Sequence, residues 1–201
     1  RNWFEIVDTV PYSENKVRCW DRASTVPSEV NHDPDWTAGA SMSRINNTFF
    51  IEDMQRDRKT PGGVKAMVKN TASRDAKHCT IVLFKDPAQA GVVEIDDYIT
   101  LLNMYNVRTL VETKKKYLRW LPLSAQAEQG RVKLLRAPWN NAFLNEAENV
   151  SMDGKSHDDQ IDAASGAYEW LVQHSASLLG DQKSNNSNKK PITAGMRNAG
   201  F

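Results

Sequence analysis

Cys79-Thr80-Ile81-Val82-Leu83-Phe84-Lys85, followed at once by Asp86-Pro87, constrains the architecture of the chain more than any other segment. The run is almost continuously apolar over strand length, the pattern of a strand covered on both faces. Such a strand belongs inside a parallel or mixed sheet flanked by helices. The segments on either side agree. Upstream, Lys16–Asp21, Trp36–Arg44 and Asn47–Met54 read as three strands of an antiparallel meander, with Asn46-Asn47 at the hairpin turn. Pro61-Gly62-Gly63 then punctuates, and Val64, Met67 and Val68 at helical spacing predict a helix to about Ala76. Downstream, a helix is expected from about Val92 to Met104 and a strand over Val107–Glu112. A helix over Lys114–Gln129 follows, which Pro122 should kink or break. Val132–Leu135 reads as a strand, Ala142–Asn149 as a short helix, and Asp158 to about Leu179 as a longer one. The chain is therefore read as an α/β domain with a mixed central sheet, a leading antiparallel meander, and helices on both faces.

With 201 residues, 40% hydrophobic and 25% charged, the chain is long enough to bury a proper core. Its 26 basic and 25 acidic side chains nearly cancel, so overall charge names no partner and any nucleic-acid surface must be local. Cys19 and Cys79 fall inside strand-like runs and read as buried thiols, which fits a reducing compartment. No apolar stretch approaches the roughly 20 residues of a membrane-crossing helix, and no signal-peptide pattern opens the chain. The abrupt start at Arg1-Asn2-Trp3 suggests a piece of a longer protein. The folded domain is expected over residues 1–180. From Asp181 the composition turns to Ser, Asn, Lys and Gly, read as a flexible tail over 181–201 in which Lys183, Lys189, Lys190 and Arg197 outnumber Asp181.

Two strands end in an acid: Asp21 closes the first, and Asp86 follows the fourth. In open α/β sheets, ligands bind in the crevice beyond the carboxyl ends of the strands. If the two strands are neighbours, both carboxylates project into that crevice. A third acidic group stands at the start of the last helix, in His157-Asp158-Asp159-Gln160-Ile161-Asp162-Ala163. Carboxylates at that density repel unless a cation sits among them, and hard oxygen ligands suit Mg²⁺ or Mn²⁺. Asp21, rigid at a strand end, is the candidate to bridge two ions, with Asp86 on one and the helix acids on the other. Asp158, Asp159 and Asp162 all stay in contention, with Asp159 put first; Asp158 and Asp162, four apart, lie nearer the border of the buried stripe. The plainer reading of the same acids is a helix start favoured by its dipole, with Ser156-x-x-Asp159 as a capping box. His157 would either orient a carboxylate or water, or simply open the helix.

These motifs, in order, resemble the nuclease domain of the large terminase subunit of tailed bacteriophages, a family of RNase H-like fold. The residues that carry the resemblance are Trp20-Asp21-Arg22-Ala23, Asp33-Pro34-Asp35-Trp36-Thr37-Ala38-Gly39 and Asp86-Pro87-Ala88-Gln89-Ala90-Gly91. Lys116-x-x-Arg119, Gly130-Arg131-Val132, Trp139 with Phe143-Leu144-x-Glu146, and the His157–Ala163 stretch complete them, over about Val17 to Val172. The resemblance implies an Mg²⁺- or Mn²⁺-dependent endonuclease, using two ions, that cuts concatemeric double-stranded viral DNA during packaging with little sequence preference. It implies Asp21, Asp86 and Asp159 as catalytic residues, with Asp158 and Asp162 among the metal ligands. It also implies an attached ATPase motor, a portal protein and a small terminase subunit as partners, in the host cytoplasm and without a membrane. Where much of the family reads Gly-Asp-Lys before the basic helix, this chain has Thr113-Lys114-Lys115-Lys116. Two other readings are weighed beside it: a junction resolvase or transposase-like nuclease, and a DNA-binding clamp with little activity apart from its motor.

The densest basic stretch holds Lys114, Lys115, Lys116, Arg119, Arg131, Lys133 and Arg136. Its first six cations are the candidates for phosphate contacts, which carry affinity without sequence preference. A solvated helix face is the plain alternative. Tyr117 and Trp120 read as packing residues, with base stacking as the alternative.

Overall fold

Every strand of the sheet is placed relative to β2 (Lys16–Asp21), which has β3 (Thr37–Ile45) antiparallel on one side and β5 (Thr80–Lys85) parallel on the other. The computed structural model describes residues 1–75, 78–86, 89–111, 116–151 and 156–184. Lys114 and Lys115, Pro87-Ala88 and residues 185–201 of the expected tail lie outside them. β3 turns back through Asn46, at a φ of 55° that asparagine tolerates, into β4 (Thr48–Asp57). β6 (Val107–Val111) pairs parallel with β5. β7 (Val132–Leu135) pairs parallel with β4, and β1 (Glu5–Val7) with β7. Among the described residues the sheet thus has seven strands in the order β1-β7-β4-β3-β2-β5-β6, with β3 alone running against the rest. The meander and the mixed sheet match the sequence reading. β1 was not expected: three residues at a sheet edge carry too short a pattern.

Among the described residues, five helices cover both faces. α1 (Pro61–Asp75) and α2 (Gln89–Leu101) pack on the face presented by Trp20, Ile81 and Leu83, through Val64, Val68, Ile95 and Tyr98. α3 (Lys116–Glu128), α4 (Asn140–Asn149) and α5 (Asp159–Ser184) pack on the face presented by Val17, Cys19, Val82 and Phe84. β5 is buried on both sides, as its apolar run requires. α3 continues through Pro122 without the break that was one of its two expected effects. Pro122 and its neighbour Leu121 face solvent, where water can satisfy the carbonyl that the ring leaves unbonded. α5 extends to Ser184, past the expected end near Leu179. No described helix is long and apolar enough to cross a membrane.

Alternation along β2 decides where the site lies. Val17 and Cys19 face α5, so Asp21, two residues on, carries the same parity to the strand's carboxyl end. Val82 and Phe84 do the same on β5, and Asp86 continues their parity just beyond that strand. Both acids stand at the same end of adjacent parallel strands, Asp21 on β2 and Asp86 just after β5.

Candidate active site

α5 meets the sheet unusually closely. A β-carbon on Gly166 would lie 2.5 Å from both Cys19 Sγ and Phe84 Cζ, so only glycine fits there. Ala163, Ala164 and Ala167 are also fully buried, and this small-residue stripe lets the first turn of α5 settle over β2 and β5. The helix start is fixed from outside its own sequence. Buried Glu146 of α4 accepts the Gln160 N–H at 2.6 Å and the Ile161 N–H at 3.1 Å, while Gln160 Nε2 donates to its other oxygen at 2.6 Å. Glu146 therefore caps α5, in place of the expected capping box. Ser156 Oγ instead accepts from the Ser151 N–H at 2.9 Å. The acids of the first turn are left for other partners.

Two of them share one cation. Lys116 Nζ lies 2.9 Å from Asp158 Oδ1 and 3.2 Å from Asp162 Oδ2. Burial lowers the Lys116 pKa, but the hydrogen bond to Asp158 and the charges of Asp162, Asp158 and Asp21 outweigh it, holding the amine above its ordinary value. The field of Asp21 thus reaches the same ammonium. Asp162 is gripped from behind: its Oδ1 accepts from Arg119 Nη2 at 3.0 Å and from Trp120 Nε1 at 2.7 Å. Only Oδ2 faces Lys116. Arg119 is buried, with its guanidinium carbon 4.8 Å from the Phe84 ring centre. Trp120 therefore does more than pack, since its indole N–H orients an acid.

Asp86 is held by its loop. A β-carbon on Gly91 would lie 2.5 Å from the Asp86 carbonyl oxygen and 2.8 Å from its β-carbon, so the start of α2 folds directly against this residue.

Asp159 turns the other way. Its Oδ2 is buried without a hydrogen-bond partner among the described residues, and lies 3.6 Å from His157 Nδ1. Burial pushes its carboxyl up to about 6, with Glu146, Asp35 and Asp158 adding to the rise and a hydrogen bond from the Trp36 backbone opposing it. His157 Nε2 lies 2.9 Å from Asp33 Oδ2 and 3.2 Å from Arg58 Nη2. Arg58 also pairs with Asp33, whose carboxyl is held below its ordinary range by Arg58 first and by His157. The guanidinium carbons of Arg56 and Arg58 lie 4.1 and 3.9 Å from the Trp36 ring centre. Asp33-Pro34-Asp35-Trp36 is thereby tied to the start of α5. Sequence reasoning quoted this motif without giving it a task; the register of the β3–β4 hairpin, with Thr37 opposite Asp57 and Ala38 opposite Arg56, is what brings the two arginines to Trp36.

The structure therefore divides the expected metal ligands. Asp158 and Asp162 converge on Lys116 within reach of Asp21, whereas Asp159 belongs to the His157–Trp36 group. Among the described residues, no three His, Cys, Asp or Glu side chains are drawn together closely enough to cage a metal ion. Asp158, just before α5, and Asp162, in its first turn, both lie against Lys116.

The basic stretch is divided too. Lys116 and Arg119 are counter-ions of the acids rather than one outward-facing cationic surface. Arg131 and Lys133 stand at the opposite end of the sheet, since β7 begins beside Phe49 and Phe50 near the start of β4. Lys133 Nζ pairs there with Glu5 at 2.8 Å.

A mixed sheet with its one reversed strand beside β2, acids at the ends of two adjacent parallel strands, and a further acidic turn on the helix that crosses them define an RNase H-like nuclease fold. The sequence matches the family described as the Terminase RNaseH-like domain over residues 18–170. This chain belongs to that family, the nucleases of viral packaging terminases. Solved structures give the same fold. The large terminase nuclease from thermophilic phage G20c, with bound zinc, aligns at a TM-score of 0.58 and 17% identity, over 84% of this chain and 94% of that one. The human cytomegalovirus terminase nuclease domain, Mn-soaked and inhibitor-bound, aligns at 0.57 and 14%, over 78% and 82%. A large terminase nuclease domain from a Thermus phage aligns at 0.57 and 16%, over 83% of this chain and 90% of that one. No curated protein matches the sequence.

Proposed function

We propose that this domain is the DNA endonuclease of a viral packaging terminase, cutting concatemeric double-stranded DNA with Mg²⁺ or Mn²⁺ and little sequence preference. The observation that carries the reading is the pairing of β2 with β5, which puts Asp21 and Asp86 at one end of adjacent strands, together with Asp158 and Asp162 gathered on one cation that also feels the charge of Asp21. The donor set of Asp21, Asp86, Asp158 and Asp162 suits a hard divalent ion, because it is all carboxylate oxygen. The G20c nuclease has been solved with magnesium, zinc and cobalt, and the cytomegalovirus domain after a manganese soak, which supports divalent-ion use here.

Asp21, Asp86, Asp158 and Asp162 would hold the ions, with Asp159 held close by. Bound divalent ions supply Lewis-acid stabilisation of the phosphodiester and a nucleophilic water. The chain's own residues provide the frame. Strand ends fix Asp21 and Asp86, Arg119 and Trp120 hold Asp162 so that one oxygen faces the site, and Glu146 sets the pitch at which α5 presents its acids. Lys116, half exposed at the rim, can meet a DNA phosphate. In the full-length protein an ATPase motor, portal and small subunit in the host cytoplasm would deliver the DNA.

Plasmid digestion tests the reading. Supercoiled DNA should be nicked and linearised with Mg²⁺ or Mn²⁺, EDTA should abolish cutting, and Asp21→Asn should eliminate it. Equal digestion by wild type and Asp21→Asn would refute the assigned site. Cutting confined to branched DNA would favour a resolvase, and binding without cutting would favour a clamp.

A further inference from the structure

Lys116 does something in this site that phosphate binding does not explain. Asp162 commits Oδ1 to Arg119 and Trp120, which leaves Oδ2 as its site-facing atom, and that atom is 3.2 Å from the lysine. Asp158 gives the same ammonium its Oδ1 at 2.9 Å. One monovalent cation thus holds an oxygen from each of two carboxylates, Asp158 just before α5 and Asp162 in its first turn. The two cations of α3 differ in freedom. The Arg119 side chain is 5% exposed and locked beneath Phe84, whereas that of Lys116 is 56% exposed on a flexible stem and can swing outward. Both come from α3, which Asp162 itself anchors, so the lysine is delivered to the acids by a fixed support.

We propose that Lys116 is the resident counter-ion of the metal-free site, holding Asp158 and Asp162 together and leaving them when a divalent ion enters. The proposal rests on the metal-dependent reading above. It gives Lys116 two states: on the acids when metal is absent, and released toward solvent or a DNA phosphate when metal is bound. Metal must displace the ammonium, so affinity is reduced by the fraction of molecules in which the lysine is engaged. A residue that merely supported the site would act with the opposite sign, since its removal would weaken metal binding.

Isothermal titration of the whole chain with MnCl₂, without DNA, reads this directly. Lys116→Met should bind Mn²⁺ about tenfold more tightly than wild type, as expected if the engaged state holds about nine molecules in ten. Lys116→Gln provides a second neutral side chain should the Met variant fold poorly, and Lys116→Arg, which keeps the charge, should show no tightening. Melting temperature gives an independent measure: saturating Mn²⁺ should raise it more for Lys116→Met than for wild type. Unchanged or weaker Mn²⁺ binding by both neutral variants overturns the proposal, while Mn²⁺ binding by wild type that Asp21→Asn removes would leave the metal reading intact. If neither wild type nor the neutral variants bind Mn²⁺, both fall.

Discussion

Asp159 is the residue whose surroundings most plainly disfavour its charge. Its carboxyl is pushed up to about 6, whereas an unfolded chain titrates near 3.9. Below both values the group is neutral in either state and contributes nothing. As pH rises from about 4 through 6, the folded state is increasingly penalised, and the penalty is complete above that range. Asp159→Asn should therefore stabilise the metal-free protein by about 3 kcal/mol at pH 8 and by almost nothing near pH 4. Urea unfolding at the two pH values checks this; a loss of stability at pH 8, or the same gain at both, contradicts it. At this scale the sequence showed which acids were crowded, because three lie within five residues. Spacings of three and four let Asp162 share a face with either Asp159 or Asp158, so the sequence did not show that Asp159 stands apart. Their cations were not legible as partners, since Lys116 and Arg119 come from another helix more than forty positions away. Lys116-x-x-Arg119 was visible as a motif, yet nothing in it says that both cations turn inward.

The elements are placed by size matching as much as by pattern. α5 rests on β2 and β5 through Gly166, and the room for even one methyl group is missing there. Gly166→Ala should cost about 1–3 kcal/mol, even though alanine is the better helix former, because overpacking outweighs a propensity gain of about 1 kcal/mol. Denaturant unfolding that shows a neutral or stabilised variant would mean that α5 can lift without strain. The buried strand β5, the meander and the α5 periodicity were readable because each carries a long, regular apolar signal. β1 was not, being three residues long. The cap of α5 was misread for a related reason: a serine three positions upstream of an acid resembles a local cap, but the group that binds the helix N–H atoms is Glu146, on the preceding helix. Contacts between elements leave no period in the sequence. Pro122 does not break its helix, because its penalty falls when its turn faces water.

For the whole molecule, the decisive fact is the adjacency of β2 and β5, which places two acids distant in sequence at one end of the sheet. The mixed α/β class and the acidic crevice followed from strand order once those two neighbours were assumed. The spread of the basic residues did not follow, because a sequence cannot show that β7 starts at the far end of the sheet and carries Arg131 and Lys133 away from the acids. The account's central claim is that Asp21, Asp86 and the α5 acids jointly bind the divalent ions that make this domain a nuclease. Anomalous diffraction from a crystal soaked in Mn²⁺ tests it most directly. Manganese peaks are expected in the crevice between Asp21, Asp86 and the Asp158–Asp162 pair, with Lys116 turned away from those carboxylates. A well-diffracting soaked crystal with no peak there, or with manganese only in the Asp33–His157 group, would contradict it.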